Sequence, residues 1–273
     1  MIKILTYEHI DLSAWQLLVE QSATVTWFQT PEAYEFYTSV DDVQAFVYGV
    51  SEDDNIVGLV VGYTTTEKCK FKQHFTARSI IVGGPLLADN ISDEALGALL
   101  SAVAQCKVES VKFKGEENSK ADTPASTPYT LHSTPIYIES RNFHDYSKWR
   151  NIFEANGFAY QPHLNFHVDT SSIKLAQSRI GKHRWRYIRL SMRDGAKIVE
   201  NPTIEQVQSF YTILQDLYQT KVKTPLWSWE FFERLFHTEH ARYILVELDG
   251  LIVGGTACVC LPGKAVYEWY ACG

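Results

Sequence analysis

The chain holds 273 residues, with 25 Lys and Arg against 32 Asp and Glu and 45% hydrophobic residues. That is the composition of a soluble globular protein, long enough for one large domain or two of about 130 residues each. No apolar run approaches the roughly 18 residues needed to span a bilayer, and Met1-Ile2-Lys3-Ile4-Leu5-Thr6-Tyr7-Glu8-His9 turns polar too soon for a signal peptide, so the expected location is cytoplasmic.

Thr30-Pro31-Glu32 reads as a helix start, with a cap, a proline in the first turn and an acid on the dipole. Ala45–Val50 and Ile56–Gly62 are β-rich runs joined by the acidic turn Ser51–Asn55, which predicts a hairpin. Arg78–Val82 is a third strand candidate, stopped by Gly83-Gly84-Pro85. Ser92 caps a helical run through Leu96, Leu99, Leu100 and Val103. Residues 115–134, rich in Ser, Thr and Pro, read as an inserted polar loop. Ile136–Glu139 is a strand, and a helix through Trp149, Ile152 and Phe153 ends at the left-handed cap signal Asn156-Gly157. Phe158–Val168 is expected to return as one or two strands.

A second unit reads like a copy of the first. Thr203 and Gln206 form a capping box for a helix striped by Ile204, Val207, Phe210, Tyr211, Leu214, Leu217 and Tyr218. An aromatic helix from Ser228 to Phe236 follows, then a hairpin of Tyr243–Glu247 and Leu251–Thr256 around Asp249-Gly250. Asn55-Ile56-Val57-Gly58 and Leu251-Ile252-Val253-Gly254 align without a gap at an offset of 196 residues, which points to domain duplication rather than a solenoid. The expected division is 1–170 for the first domain and 171–273 for a basic linking helix and the N-terminal part of the second. The second copy reads as incomplete, and a fragment of this kind is expected to be inactive or very weak.

The acidic balance has one local exception. Lys174, Arg179, Lys182, Arg184, Arg186, Arg189 and Arg193 fall in a stretch without an acid. The rest of the chain carries 18 basic against 32 acidic residues, a charge of −14, so the stretch reads as a localised anion-binding face. Arginine forks suit phosphate, and Trp185 and Tyr187 are placed to stack on a base or sugar. The plain alternative is a solvated linking helix whose long basic side chains lie over apolar surface. Glu139, Arg141 and Asn142 emerge at the end of a buried strand: Arg141 suits an anionic group and Glu139 an amine proton, unless the two form a salt-bridged turn.

Five cysteines, at 69, 106, 258, 260 and 272, make an odd count, and Cys258 with Cys260 reads as a buried strand pair. The nine histidines have no ligand spacing, so no metal site is expected, and no Gly-x-Ser-x-Gly elbow argues for covalent catalysis.

The order helix, helix, hairpin, strand, helix, strand, helix, Asn-Gly-Phe, strand resembles a GNAT-type acyltransferase domain. Two in tandem resemble the Fem family, which builds peptidoglycan interpeptide bridges in bacterial cell walls. The resemblance rests on Phe28-Gln29-Thr30-Pro31, Ile81-Val82-Gly83-Gly84-Pro85-Leu86, Ile138-Glu139-Ser140-Arg141-Asn142 and Asn156-Gly157-Phe158 with Pro162-His163-Leu164-Asn165. It extends through the basic segment Lys182–Arg189 and Tyr267-Glu268-Trp269-Tyr270, and covers most of the chain outside 112–134. It implies tandem α/β domains with mixed sheets and transfer of an aminoacyl or acyl group onto an amine of a cell-envelope precursor. No cofactor is then expected: aminoacyl-tRNA is the donor, a lipid-linked or nucleotide-linked precursor the acceptor, with peripheral membrane contact.

Glu268 and Tyr270 lie on the strand that lines the acyl site in this superfamily. If they share one face they can take the amine proton and steady the developing oxyanion; a cross-strand aromatic pair is the plain alternative. With Glu139 they are the candidate catalytic residues, and Arg141, Asn142, Lys182, Arg184, Trp185, Arg186 and Arg189 the candidate binding residues. The chain departs from ordinary GNAT enzymes in lacking the Arg/Gln-x-x-Gly-x-Gly/Ala pyrophosphate loop. Pro85 removes an N–H near its place, which weakens a rival reading as an acyl-coenzyme A or acyl-carrier-protein enzyme acting on a nucleotide-linked sugar. A non-catalytic GNAT-like binding module is the third reading.

Overall fold

Two acid-bearing turns, 196 residues apart, each close a long hairpin at the centre of its own sheet. The computed structural model describes residues 1–41, 43–65, 77–105 and 135–273; the polar stretch 115–134, Cys69 and Cys106 lie outside the described residues. The chain divides into two units, Met1–Gln161 and Pro162–Gly273.

The first unit runs β1 (Ile2–Thr6), α1 (Leu12–Gln21), α2 (Pro31–Ser39), β2 (Val43–Glu52), β3 (Asn55–Thr65), β4 (Arg78–Gly83), β5 (Leu86–Leu87), α3 (Asp93–Ala104), β6 (Tyr137–Asn142) and α4 (Arg150–Ala155). Its sheet has the order β1-β2-β3-β4-β6, with β5 also paired to β3. Only β4 and β6 run parallel, so the sheet is mixed. Thr30 caps α2 by accepting from the Ala33 N–H, with Pro31 at the first helical position as its sequence requires.

Every residue of β3 from Val57 to Thr64 is buried, because the strand is covered on both faces and no position needs to be polar. On one side Leu96, Leu99, Leu100 and Val103 of α3 pack on Val50, Val60 and Ile81. Each such side chain contributes about 1.5–3 kcal/mol by burial. On the other, α1 and α2 bring Trp15, Leu18 and Tyr37 to the core, with the Tyr37 and Tyr63 rings 4.6 Å apart. Gly62 makes room for this packing: a Cβ there would sit 2.4 Å from the Phe46 ring and 2.8 Å from the Ile80 carbonyl oxygen.

The second unit runs α5 (Ile173–Ser178), α6 (Lys182–Arg193), β7 (Lys197–Val199), α7 (Ile204–Leu217), α8 (Trp229–Phe236), β8 (Ala241–Leu248), β9 (Leu251–Leu261) and β10 (Ala265–Cys272). Thr203 and Gln206 form the expected capping box, and Val207, Phe210, Tyr211 and Leu214 are the buried stripe of α7. The sheet order is β10-β9-β8-β7. All three pairings are antiparallel, so this sheet is not mixed as expected. A sheet becomes mixed only where a crossover returns a parallel strand, as β6 does beside β4. Along β8, buried Ala241, Tyr243 and Leu245 alternate with exposed Arg242 and Ile244, the pattern of a sheet with one covered face.

The duplication is visible in the connectivity. Strands β1-β2-β3-β4 and β7-β8-β9-β10 have the same order, and each set carries two helices between its first and second strands. The central hairpins lie in separate sheets and match down to a bulge. Val57 is the extra residue between the pairs Val50–Gly58 and Ser51–Ile56, and Val253 between Val246–Gly254 and Glu247–Ile252. Both turns have two residues with positive φ, Asp53 and Asp54 at 47° and 65°, Asp249 and Gly250 at 51° and 80°. That is the primed geometry a tight hairpin demands.

Two expectations fail locally. Residues 158–168 carry apolar–polar alternation but form no strand among the described residues, and Leu164 and Phe166 stand exposed. Alternation supplies a face, whereas a strand also needs a partner ladder. The basic stretch is two helices, because Gly181 takes an extended conformation (φ −62°, ψ 147°) and caps α6.

Candidate functional site

Strand β10 carries the two candidate catalytic residues of the second unit, and its register separates them. Glu268 pairs with Cys258 and Tyr270 with Ala257, so Trp269 is a bulged extra residue between them. Neighbouring residues of β9 point to opposite faces, and their partners do the same. Glu268 therefore shares a face with exposed Arg242 and buried Cys258, while Tyr270 lies on the face covered by α7 and α8. The Tyr270 ring stands 5.0 Å from Phe232 and 6.2 Å from Tyr218, and Trp269 5.2 Å from Phe231. The shared face expected from i, i+2 spacing is thus broken by one bulge.

In the first unit, Glu139 and Arg141 sit on one face of β6 and bind each other. The Arg141 guanidinium donates to both Glu139 oxygens, at 2.8 and 3.3 Å. Both side chains are about half exposed, so the pair contributes no more than about 1 kcal/mol. Asn142 accepts from the Ser140 hydroxyl at 2.7 Å, and its Oδ1 lies 2.5 Å from the place a Cβ on Gly84 would take. Gly83 and Gly84 both have positive φ, 88° and 82°.

What holds this glycine turn is a residue that sequence reasoning did not single out as functional, Gln29, which is 2% exposed. Its Oε1 accepts from the Thr26 N–H and hydroxyl, both at 2.8 Å. Its Nε2 donates to the carbonyl oxygens of Gly83 and Gly84 at 3.1 and 3.3 Å. Tyr146 donates to the Pro85 carbonyl at 2.7 Å, and burial pushes its phenol well above the ordinary value, keeping it a neutral donor. The N-terminus of α3, a natural anion site, is filled from within. The Glu52 carboxylate accepts from the Ser92 N–H and hydroxyl, with Asp93 and Glu94 in the first turn.

The basic residues of the second unit stand on α6, where no residue is buried. Lys182, Arg186, Arg189 and Arg193 recur at i, i+4, i+7 and i+11, which places them along one helix face. Arg184 falls on the opposite side. Arg193 is paired with Asp194 at 2.9 Å; among the described residues Lys182, Arg184, Arg186 and Arg189 have no ion-pair partner. Trp185 donates its indole N–H to the Gln177 carbonyl at 3.3 Å, tying α6 to α5.

Cys258 and Cys260 are free thiols on β9, and burial raises both above the ordinary thiol range; Cys272 is pushed to about 11 by the same cause. Among the described residues no group of three His, Cys, Asp or Glu is placed to hold a metal, and no helix is long and apolar enough to cross a membrane.

No family model matches the chain, and no curated protein matches it in sequence. Among solved structures it is similar to FemX, with a TM-score of 0.52 at 14% identity, covering 90% of this chain and 58% of FemX. A tandem GNAT protein from the clavulanic acid biosynthesis pathway gives a TM-score of 0.45 at 9% identity, over 99% of this chain and 78% of that one. The likeness to FemX shows that the chain shares its α/β fold, and the chain spans a little over half the length of FemX.

Proposed function

We propose that the chain is a Fem-like transferase, moving an aminoacyl or acyl group onto an amine of a peptidoglycan or other cell-envelope precursor. The observation that carries this reading is the duplicated strand–helix–helix–hairpin–strand unit in a chain with the fold of FemX. The cationic face of α6, where Lys182, Arg186 and Arg189 have no ion-pair partner among the described residues, supports a polyanionic donor such as aminoacyl-tRNA, or the phosphates of a lipid-linked or nucleotide-linked acceptor. Glu268, exposed on its own face of β10, is the proposed base for the amine proton, and Tyr270 is assigned to the aromatic wall on the other side. In the first unit Glu139 and Arg141 satisfy each other, which favours a supporting role for that unit.

Coenzyme A is the weaker donor. A pyrophosphate arriving beyond β4 meets a turn whose carbonyls are held by Gln29, and a helix N-terminus already occupied by Glu52 beside Asp93 and Glu94. A donor screen tests the choice: charged tRNAs and acyl-coenzyme A species, each with amine-bearing envelope precursors. Label transferred from tRNA is the expected result. Transfer from acyl-coenzyme A alone would overturn the assignment.

A further inference from the structure

Helix α7 does not end in an ordinary cap. After Leu217 the backbone widens into a π-helical turn, Tyr218–Val222, and closes on Lys223, whose N–H donates to the Tyr218 carbonyl at 2.7 Å. Lys223 has φ 59° and ψ 24°, a left-handed conformation that costs a residue with a β-carbon and is uncommon outside Gly, Asn and Asp. π turns of this kind recur where a helix is deformed to make a site. Here the deformed turn and the loop to Leu226 line an open surface cleft of about 430 Å³, within the roughly 300–1,000 Å³ span of small-ligand sites.

The lining divides by chemistry. Tyr211, Pro225 and Leu226 supply an apolar wall. Gln215 and Gln219, one helical turn apart, supply two amides. Gln215 donates to the Tyr211 hydroxyl at 3.2 Å and Tyr211 donates onward to the Trp227 carbonyl at 3.1 Å, which fixes the Gln215 amide and leaves its Oε1 as an acceptor. Lys223 is the one cation among the lining residues, and it has no ion-pair partner among the described residues. Tyr218, also in the lining, stands 6.2 Å from Tyr270 of β10.

We infer that this cleft binds the carboxylate end of a short peptide or N-acyl amino acid. Lys223 meets the carboxylate, the amides of Gln215 and Gln219 meet the peptide group, and Tyr211, Pro225 and Leu226 hold the side chain. A single lysine with no arginine fork suits one carboxylate better than a phosphate, which draws several donors. The inference is compatible with a peptide-bearing acceptor, but binding is measured without turnover, so it stands or falls apart from the transferase reading.

The test is a titration of the protein with N-acetyl-dialanine, its C-terminal amide and inorganic phosphate, followed by calorimetry and by the NMR signals of Gln215 and Tyr218. The expected result is that the acid binds at least about tenfold tighter than the amide, the difference a charge-assisted hydrogen bond makes. Lys223→Asn removes the charge while suiting the left-handed backbone, and is expected to erase that preference. Lys221→Asn, two residues away and outside the lining, is expected to leave it intact. Leu226→Trp fills the cleft and is expected to abolish binding of the acid. Equal affinity for acid and amide, an unchanged acid affinity in Lys223→Asn or in Leu226→Trp, or tighter binding of phosphate than of the acid overturns the inference.

Discussion

Replacing Gln29 by leucine removes four hydrogen bonds at a site almost closed to water. The side chain joins the Thr26 N–H and hydroxyl to the carbonyls of Gly83 and Gly84. The Thr26 hydroxyl can turn toward another acceptor, but the Thr26 N–H and the two carbonyls are stranded. Each buried group left without a partner costs about 1–3 kcal/mol, so three at the lower part of that range give a loss of about 3–5 kcal/mol. That is a large share of the ~5–15 kcal/mol of a typical domain. Urea unfolding followed at the indole N–H signals of Trp15 and Trp27 reads the first unit directly, while Trp227 and Trp229 report the second separately. Gln29→Glu keeps the acceptor toward Thr26 and replaces the donor amide with a carboxylate facing two carbonyls. Its deficit is expected to be as large at neutral pH and to shrink in acid, where a protonated carboxyl donates again. A loss below about 1 kcal/mol for Gln29→Leu would refute the claim that this amide holds the glycine turn.

Three further outcomes are expected. On α6, Arg186→Ala with Arg189→Ala weakens binding of labelled tRNA and lowers the log–log salt slope by about 0.7–0.9 for each lost phosphate contact, whereas Arg184→Ala on the far side changes little; equal effects from both sides would dismiss the single-face reading. Gly62→Ala forces a β-carbon against Phe46 and the Ile80 backbone and costs about 1–3 kcal/mol, while Gly97→Ala, with nothing nearer than 3.8 Å, stabilises α3 by about 0.5–1 kcal/mol, as denaturation midpoints will show. Asp54, held down by its hydrogen bond to Lys3, and Asp145, held down by the Ser147 backbone N–H, both lie below the ordinary carboxylate range. A depressed folded-state pKa means that their stabilisation is complete above about pH 5 and fades as pH falls below about 4, so Asp54→Asn with Asp145→Asn flattens the acid limb of the melting-temperature profile.

The duplicated hairpins were legible because turn chemistry is local: acids and glycine between β-rich runs demand a two-residue turn, and both copies keep it. The capping box of α7 and the cap of α2 were legible for the same reason. Strands β1 and β7 were not, being short edge strands whose Ile2, Ile4 and Ile198 remain exposed, so burial leaves little mark on their sequence. The pairing of Glu268 with Tyr270 failed because a bulge adds a residue without altering composition. The single cationic face of α6, by contrast, follows from helical spacing alone once the helix is granted, and it separates Arg184 from Arg186. Gln29 carried no local signal: its role exists only once Thr26 and the turn after β4 are brought beside it. The left-handed Lys223 was hidden too, since neither lysine nor its neighbours announce that conformation.

The two copies of the hairpin sit in chains of pairing with different reach. In the second unit β8, β9 and β10 follow one another through short turns, so each strand finds its neighbour close by in the sequence. In the first unit β4 waits for β6, with Arg78 opposite Tyr137, which lies 59 positions further along the chain. Closing a loop of that length carries an entropy penalty before any contact forms, and rates fall as such pairings dominate. The three-stranded meander of the second unit is therefore set to form early, and the parallel pair that completes the first sheet to form late. Until β6 docks, the edge of β4 beside the glycine turn offers unpaired backbone groups, which makes that edge the point where a newly made chain is most exposed to pairing with another.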